Sequence, residues 1–172
     1  FPTRRSSDLS EIDSVILKST GAYLKNLDSV FGIITPVKPL FSKPESRNTR
    51  WQIVDSCLRF YFRFICANQR LIELGQHDVL KSIVLRDYET FSGKTLEQYF
   101  TAKINEESEL TDIGAWWDKK SQREIDIIAV NSVAKTCRIY EVKRNTQRID
   151  LPALAQKAGA FTPNVSGYDI EL

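Results

Sequence analysis

Residue types that build many common functional sites are scarce in this chain. Its 172 residues include no methionine, one histidine and three cysteines. With His77 alone, neither a histidine-based metal site nor a conventional catalytic triad containing histidine can form. Cys57, Cys66 and Cys137 make no Cys-x-x-Cys pair, and we interpret them as reduced, partly buried residues of a cytoplasmic protein.

Long apolar runs and a strong net charge are also absent. No run approaches the roughly 18–20 apolar residues that a membrane-spanning helix needs, and the chain does not begin with the charged-then-apolar pattern of a signal peptide. The net charge at neutral pH is only +2. We therefore expect no membrane partner, and contacts with nucleic acid have to come from local basic patches.

A complete phosphate-binding loop is missing as well. The segment SGKT at residues 92–95 is similar to the end of such a loop. The full pattern requires a glycine five positions before Gly93, and the chain has Tyr88 there. A helical pattern precedes the segment where the loop would need a strand. No nucleotide site is therefore expected in these residues.

The two ends of the chain suggest a fragment of a longer protein. Residues 1–9, FPTRRSSDL, match one reading frame at the end of a common short-read sequencing adapter. We interpret this segment as an assembly artefact. The chain has no initiating methionine and stops within the strand-like GYDIEL. We therefore expect the natural protein to extend beyond both ends.

Residues 10–54 have the pattern of a small mixed α and β unit. A helical pattern closes at Gly32, and the extended IITPVKPLFSK, a polar loop and the strand-like WQIVD follow. This order is that of the last helix and wing of a winged helix-turn-helix, although many small α+β fragments would have it equally. Residues 55–90 are predicted as linker helices. Aromatic residues cover more than one face of residues 55–74, which predicts a buried helix there.

Residues 91–172 are predicted to form a second, α/β domain. Ser92 and Gly93 are predicted to separate the preceding helix from an amphipathic one with an apolar stripe of Leu96, Tyr99, Phe100 and Ile104. The segments ELTDIGAWW, REIDIIAV and TCRIYEVK are predicted strands. DLPALAQKAGAF then predicts a helix with an early proline, and GYDIEL a last strand. The overall class is therefore α+β, with a mixed sheet flanked by helices.

Charged residues within the predicted strands are the main functional signal. In REIDIIAV, strand alternation places Glu124 and Asp126 on one face. The opposite face is predicted to carry Ile125, Ile127 and Ala129. A buried strand normally avoids such charges, and a catalytic or metal-binding role would explain them.

A second charged pair follows in the next predicted strand. Alternation places Glu141 and Lys143 on one face, with Val142 pointing into the core. If the two strands form a hairpin, Asp126 comes close to Glu141, and each carboxylate raises the proton affinity of the other. A divalent cation relieves that repulsion, and hard oxygen ligands suit Mg²⁺. With Lys143 beside a metal-bound water, the arrangement would hydrolyse a phosphodiester.

Surface ion pairing is the alternative explanation of these charges, and the pattern alone leaves both open. Asp126 would then pair with Lys143, or Glu141 with Arg123. The basic stretches 119–123 and 143–148 flank the same strands and would either contact phosphates or form solvated turns. Either Trp116 or Trp117 would stack on bases, although one of them is predicted to be core.

At this point the motifs resemble a known family. An aspartate, then Glu-x-Lys on the adjacent strand, after a helix carrying a glutamate, resembles the PD-(D/E)XK nuclease superfamily. FSGKTLEQYF, IGAWWDKKSQREIDIIAV and YEVKRN resemble the C-terminal domain of unknown function attached to archaeal-type AAA ATPases of archaea and bacteria. YLKNLDSVFGIITPVKPLF and WQIVDSCLRFYFRFI resemble the winged-helix end and linker helix of that group. The resemblance covers about residues 19–160.

The resemblance implies a set of site residues, a cofactor and partners. Glu97 matches the acid of the first helix, Asp126 the metal-binding aspartate, and Glu141 and Lys143 the Glu-x-Lys pair. Asp126 and Glu141 would bind Mg²⁺, and all four residues would serve catalysis. Gln156 or Lys157 falls where related folds sometimes place a polar helix residue.

The same resemblance implies an ATPase domain upstream, and ATP would bind only to that domain. It also implies a nucleic-acid partner, which we expect to be DNA. Two functions therefore compete. One is a Mg²⁺-dependent endonuclease domain of a larger ATPase. The other is a non-catalytic module that binds DNA or a partner and in which the nuclease fold is structural.

Overall fold

The computed structural model describes residues 20–46, 48–107 and 109–172. The predicted artefact at residues 1–9 lies outside these ranges, as does the predicted helical pattern of residues 10–19. Two compact units divide the chain: one holds residues up to 38 together with 43–80, and the other holds 39–42 together with 81–172.

The first unit is a short helical and two-stranded assembly. Helix α1 (Thr20–Ser29) precedes the antiparallel strands β1 (Ile34–Val37) and β2 (Arg50–Ile53). The helix ends at Ser29, three residues before the predicted Gly32, whose φ of 60° is in the left-handed region that glycine tolerates where a chain leaves a helix. The expected order of helix, strand, loop and strand is therefore present, and its assignment to a winged helix stays a prediction.

Residues 56–73 are helical, but they do not form the single buried helix predicted. Helix α2 (Ser56–Phe60) passes into a π-helical turn (Tyr61–Ile65), a 3-10 turn (Cys66–Asn68) and helix α3 (Gln69–Glu73). Within these elements only Phe64 is buried. Tyr61 and Phe62 are each about half exposed, so the aromatic side chains of this segment are only partly covered.

The cysteines also differ from the prediction that all three are partly buried. Cys57 and Cys66 are exposed on the helices of the first unit, whereas Cys137 is fully buried in the second. All three are free thiols. The difference follows from the helix exposure just described, because Cys57 and Cys66 lie on the same incompletely covered helices.

Helix α4 (His77–Glu107) is continuous, so the predicted break at Ser92 and Gly93 is wrong. The Ser92 hydroxyl donates to the Tyr88 carbonyl oxygen at 2.8 Å and so meets its hydrogen-bonding need inside the helix. One internal glycine costs only about 1 kcal/mol relative to alanine, which a long helix tolerates. The predicted stripe is also only partly correct, since Tyr99 and Phe100 are exposed.

The second unit contains a four-stranded mixed sheet. Strands β3 (Asp112–Trp117), β4 (Glu124–Asn131) and β5 (Thr136–Tyr140) are antiparallel neighbours, and β6 (Asp169–Glu171) pairs parallel to β5. Helix α5 (Leu151–Phe161) makes the crossover between β5 and β6. The predicted α+β class with a mixed sheet is therefore confirmed.

The core of this unit lies between the sheet and α5. Asp150 caps the start of α5 by accepting a hydrogen bond from the Ala153 amide at 2.9 Å, and Pro152 occupies the first turn as predicted. Trp117 is buried, and Trp116 packs edge-on against Phe161, which leaves neither ring as an open stacking platform. The buried residues of this cluster are Ile125, Ile128, Val130, Cys137, Ile139, Leu154, Ala158, Phe161 and Val165.

A β-bulge changes the alternation of β4. Gly114 pairs with Ile128 and Trp116 pairs with Ile125, so one residue of β3 faces two residues of β4. Ile125 therefore joins Ile128 in the core against α5, while Ile127 is buried outside that cluster. The prediction that Ile125, Ile127 and Ala129 share one face is thus wrong for Ile125, whereas Ile127 and Ala129 do share a face in the regular part of the strand. At the bulge, Ala115 of β3 faces the two residues Asp126 and Ile127 of β4.

No helix in the described part of the chain has both the length and the apolar character of a membrane span.

Candidate functional site

Asp126 lies at the bulge of β4, where the strand departs from regular pairing. Its Oδ2 accepts a hydrogen bond from the backbone amide of Val142 at 2.9 Å. Val142 follows the end of β5 and lies between Glu141 and Lys143. The bulge therefore directs the aspartate towards the segment that carries the Glu-x-Lys pair, as bulges often do next to functional sites.

Glu141 and Lys143 lie just beyond β5. The regular strand ends at Tyr140, so the prediction that both residues lie within the strand is wrong by a few residues. Their predicted common orientation is confirmed, since Lys143 Nζ lies 2.7 Å from Glu141 Oε1. The surface pairing of Glu141 with Arg123 considered from the sequence is not formed, because lysines hold both oxygens of Glu141.

The second lysine at Glu141 is Lys157 of α5. Its Nζ lies 3.1 Å from Glu141 Oε2, and the Glu141 side chain is only 9% exposed. Burial by itself raises the pKa of Glu141, but hydrogen bonds and charge attraction from Lys143 and Lys157 outweigh it, so the pKa is lowered. Glu141 is therefore held in its ionised form by two ammonium groups.

Lys143 lies within the field of three carboxylates. Its pKa is raised mainly by the hydrogen bond to Glu141; burial opposes the rise, and the charges of Asp126, Glu141 and Glu97 add to it. These acids come from a strand bulge, a segment after a strand and a helix. The structure thus places all four residues predicted from the sequence in one neighbourhood.

Glu97 approaches this neighbourhood from α4. Its Oε2 accepts from Lys94 Nζ at 2.6 Å, and its side chain is 22% exposed. Burial raises the pKa of Glu97, Lys94 lowers it, and the charges of Asp126 and Glu124 raise it further, so the net shift is upward. Its coupling to Asp126 indicates that Glu97 faces the strand residues and not bulk solvent on the far side of α4.

Two lysines of this neighbourhood were not identified by motif spacing. Lys94 stands three residues before Glu97 on a helix, and this spacing brings side chains together. Their ion pair could therefore have been predicted from the sequence. Lys157 was named from the sequence only as an alternative to Gln156, because related folds sometimes place a polar residue there. Its contact with Glu141 depends on how α5 packs on the sheet, and no local pattern predicts that packing.

The basic stretch 143–148 is attached to α4. Arg144 Nη1 donates to Ser92 Oγ at 2.8 Å, and its guanidinium lies 5.7 Å from the centre of the Tyr88 ring. Arg148 pairs with Glu89 at 2.7 Å. The segment is therefore fastened to the helix that carries Glu97, unlike a freely solvated turn. By contrast, Lys119 and Arg123 of the other basic stretch lie exposed on the β3–β4 turn.

The carboxylate oxygens of Asp126 and Glu141 are the kind of ligand atom that hard divalent cations prefer. Mg²⁺ is usually bound through one or two carboxylates and keeps several waters. Asp126 Oδ1 has no hydrogen-bond partner among the described residues, while both oxygens of Glu141 contact lysines. Within residues 20–46, 48–107 and 109–172, no three acidic, histidine or cysteine side chains are close enough to hold a metal together. A metal ion bound by these side chains would therefore have at most two carboxylate ligands from the described residues.

Comparisons with known proteins identify relatives without an assigned activity. The chain is 34% identical over 128 residues to the uncharacterized protein MJECL04 of Methanocaldococcus jannaschii, a match that covers 70% of this chain and 28% of that protein. No solved structure matches it significantly. The model of the family DUF234, described as archaea bacterial proteins of unknown function, matches residues 61–154, which is more than half of the 172 residues. The chain therefore belongs to this family of archaeal and bacterial proteins.

Proposed function

We propose that the second unit is a PD-(D/E)XK nuclease-like domain that hydrolyses phosphodiesters of nucleic acid, with DNA as the preferred substrate, using Mg²⁺. The observation that carries the proposal is that Asp126 accepts a hydrogen bond from the Val142 amide at 2.9 Å, between Glu141 and Lys143, whose side chains contact each other at 2.7 Å. The charge of Glu97 on α4 also attracts Lys143. Three elements distant in sequence contribute these groups. Surface ion pairing needs only two oppositely charged residues. It would not explain why charged groups from three separate segments lie close together.

Each residue has a separate role in the proposed reaction. Asp126 and Glu141 would hold Mg²⁺, which supplies a Lewis acid and an activated water when bound. Lys143 carries a protonated ammonium at neutral pH and contacts Glu141, so it would orient the water and stabilise negative charge on the phosphate. Glu97 adds negative charge on the helix side, where it would align metal-bound water. The bulge positions Asp126 through the hydrogen bond to Val142.

We further propose that this domain works in a longer cytoplasmic protein with an ATPase domain upstream. The match covers only 28% of the length of MJECL04, so that relative is much longer than the matched region. The resemblance of residues 19–160 to ATPase-associated domains supports the same arrangement. ATP would act only through that upstream domain, since SGKT lies inside the continuous helix α4.

The test is a cleavage assay on single-stranded DNA, double-stranded DNA and RNA. We expect cleavage with Mg²⁺ or Mn²⁺ and little with Ca²⁺. Asp126→Asn and Lys143→Ala should each abolish it, while Lys135→Ala on the β4–β5 turn should retain it. The protein with its upstream domain should be assayed with and without ATP. Persistent absence of metal-dependent cleavage under all these conditions would contradict the proposal.

A non-catalytic binding module is the second candidate, and one observation favours it. Lys143 and Lys157 together neutralise Glu141 without any metal, so the charged residues also form a closed ion-pair network. In that case the domain would bind DNA or a partner, Asp126→Asn and Lys143→Ala would still bind, and the wild type would never cut. A binding assay run beside the cleavage assay separates the two candidates.

A further inference from the structure

Lys157 occupies an unusual place in the candidate site. It projects from α5 to Glu141 Oε2 at 3.1 Å, across 16 positions of sequence. The Glu141 side chain is 9% exposed and the Lys157 side chain 30% exposed, so the contact lies at the edge of the buried region. A partly buried ion pair of this kind interacts more strongly than one on the open surface.

The position of this lysine conflicts with the proposed metal position. Mg²⁺ binds carboxylate oxygens at about 2.0–2.1 Å. Lys143 contacts Oε1 of Glu141 and Lys157 contacts Oε2, so a metal ion at either oxygen would compete with an ammonium group for its lone pairs. A cation in the site would also be repelled by both lysines.

Of the two lysines, Lys157 is the one suited to leave. Lys143 is attracted by Asp126, Glu141 and Glu97 together. The only hydrogen bond or ion pair of the Lys157 ammonium within the described residues is the longer one to Glu141. Its flexible four-carbon stem can carry the ammonium towards solvent without movement of α5.

We propose that Lys157 is an internal counter-cation that sets the metal affinity of this site. In the metal-free protein it neutralises Glu141, and a divalent cation binds only by displacing it from Oε2. Lys157 thus determines the metal concentration at which the site fills. This inference rests on the metal site of the proposed function and assigns a residue outside the Asp and Glu-x-Lys motif.

The experiment measures metal binding in the full chain without substrate. Mn²⁺ and Mg²⁺ are titrated separately by calorimetry into the wild type, Lys157→Met, Lys157→Arg and the control Lys135→Met. The control removes an equal charge on the β4–β5 turn, at the other end of β4 from Asp126. Lys157→Met should bind about tenfold more tightly, since one nearby like charge changes such equilibria by about that factor or more. Lys157→Arg and Lys135→Met should stay within about twofold of the wild type, because a nearby cation remains in one and the other is remote.

Further variants make each outcome decisive. If Lys157→Met does not fold, Lys157→Gln removes the same charge with a polar side chain. Adding Asp126→Asn to Lys157→Met should abolish the binding. Equal affinity in wild type and Lys157→Met, with loss on Asp126→Asn, overturns this inference and leaves the proposed metal site intact. Tighter binding that survives Asp126→Asn places the metal elsewhere and overturns it. No binding by any variant overturns both proposals.

Discussion

The candidate site has two sides that hold negative charge in different ways. The strand side consists of Asp126, Glu141, Lys143 and Lys157, and the helix side consists of Glu97 and Lys94. On the strand side, two lysines lower the pKa of Glu141 although burial opposes this. On the helix side, burial and the charges of Asp126 and Glu124 outweigh Lys94, so the pKa of Glu97 is raised.

This difference teaches that burial decides the direction of a pKa shift only where the opposing positive charge is small. Burial dominates at Glu97, which pairs with one lysine, whereas two lysines outweigh it at Glu141. The strand side is therefore suited to a permanent negative ligand, whereas the helix side gives up its charge more readily. We expect the free energy of unfolding to change in opposite directions when Glu141 and Glu97 are neutralised.

The largest expected difference is in cleavage. Asp126→Asn or Lys143→Ala on the strand side should reduce the rate by about 10²–10³-fold or more, as is typical when a group that stabilises developing charge is removed. Glu97→Gln should reduce it less, because Glu97 would act on bound water and not as one of the two metal ligands. Single-turnover rates measure both. Equal reductions in cleavage rate for the strand-side and helix-side variants would contradict the proposed difference between the two sides.

The next effect is on stability at the strand side. Glu141→Gln should lower the free energy of unfolding at pH 7 by about 1–3 kcal/mol, because Lys143 and Lys157 lose a largely buried charged partner. The Glu141 pKa is lowered in the folded state, so its contribution is full above the unfolded value of about 4.3. It is lost as pH falls through the folded pKa. Urea unfolding of both proteins between pH 3 and 7 checks this.

A smaller effect of opposite sign is expected on the helix side. Glu97→Gln should raise the free energy of unfolding at pH 7 by about 1 kcal/mol or less, because ionisation of Glu97 is disfavoured in the folded state. A carboxyl pKa raised by folding costs no stability below the unfolded value of about 4.3, and the cost grows as pH rises to the folded pKa. The gain should therefore vanish in acid. Destabilisation at pH 7 would show that the ion pair with Lys94 dominates instead.

The smallest effect concerns the connection between the two sides. Arg144→Ala removes the contacts with Ser92 and Tyr88 that attach the strand-side segment to α4. The amide of Val142 should exchange its hydrogen about twofold to fivefold faster, as expected for an exposed contact worth less than about 1 kcal/mol. Arg138→Ala breaks an exposed pair with Glu171 and serves as the control. Unchanged exchange in Arg144→Ala would mean that the hydrogen bond to Asp126 suffices to hold the segment.

Several of these features were predictable because they depend on neighbours in sequence. The strands, the cap of α5 at Asp150 and the left-handed Gly32 after α1 follow from alternation, capping and glycine conformation. The common orientation of Glu141 and Lys143 follows from their spacing of two residues. The α+β class follows from the order of these elements.

Other features required tertiary contacts. The continuity of α4 through Gly93 shows that a local breaker signal is outweighed when the surrounding residues sustain a long helix. The exposure of Phe100 depends on what lies opposite its helical face, which amphipathic spacing does not specify. The pairing of Lys157 with Glu141 needs α5 to lie against the end of β5.

The sequence by itself determined which side chains of the candidate site carry charge and roughly which elements carry them, because residue identity and short-range periodicity are local properties. Only the tertiary structure decided how those charges are balanced. The bulge that directs Asp126 to Val142 arises from a register between two strands, and the lowered pKa of Glu141 arises from a helix packed on the sheet. Both depend on distances between segments, and electrostatic energy varies with those distances, not with separation along the chain.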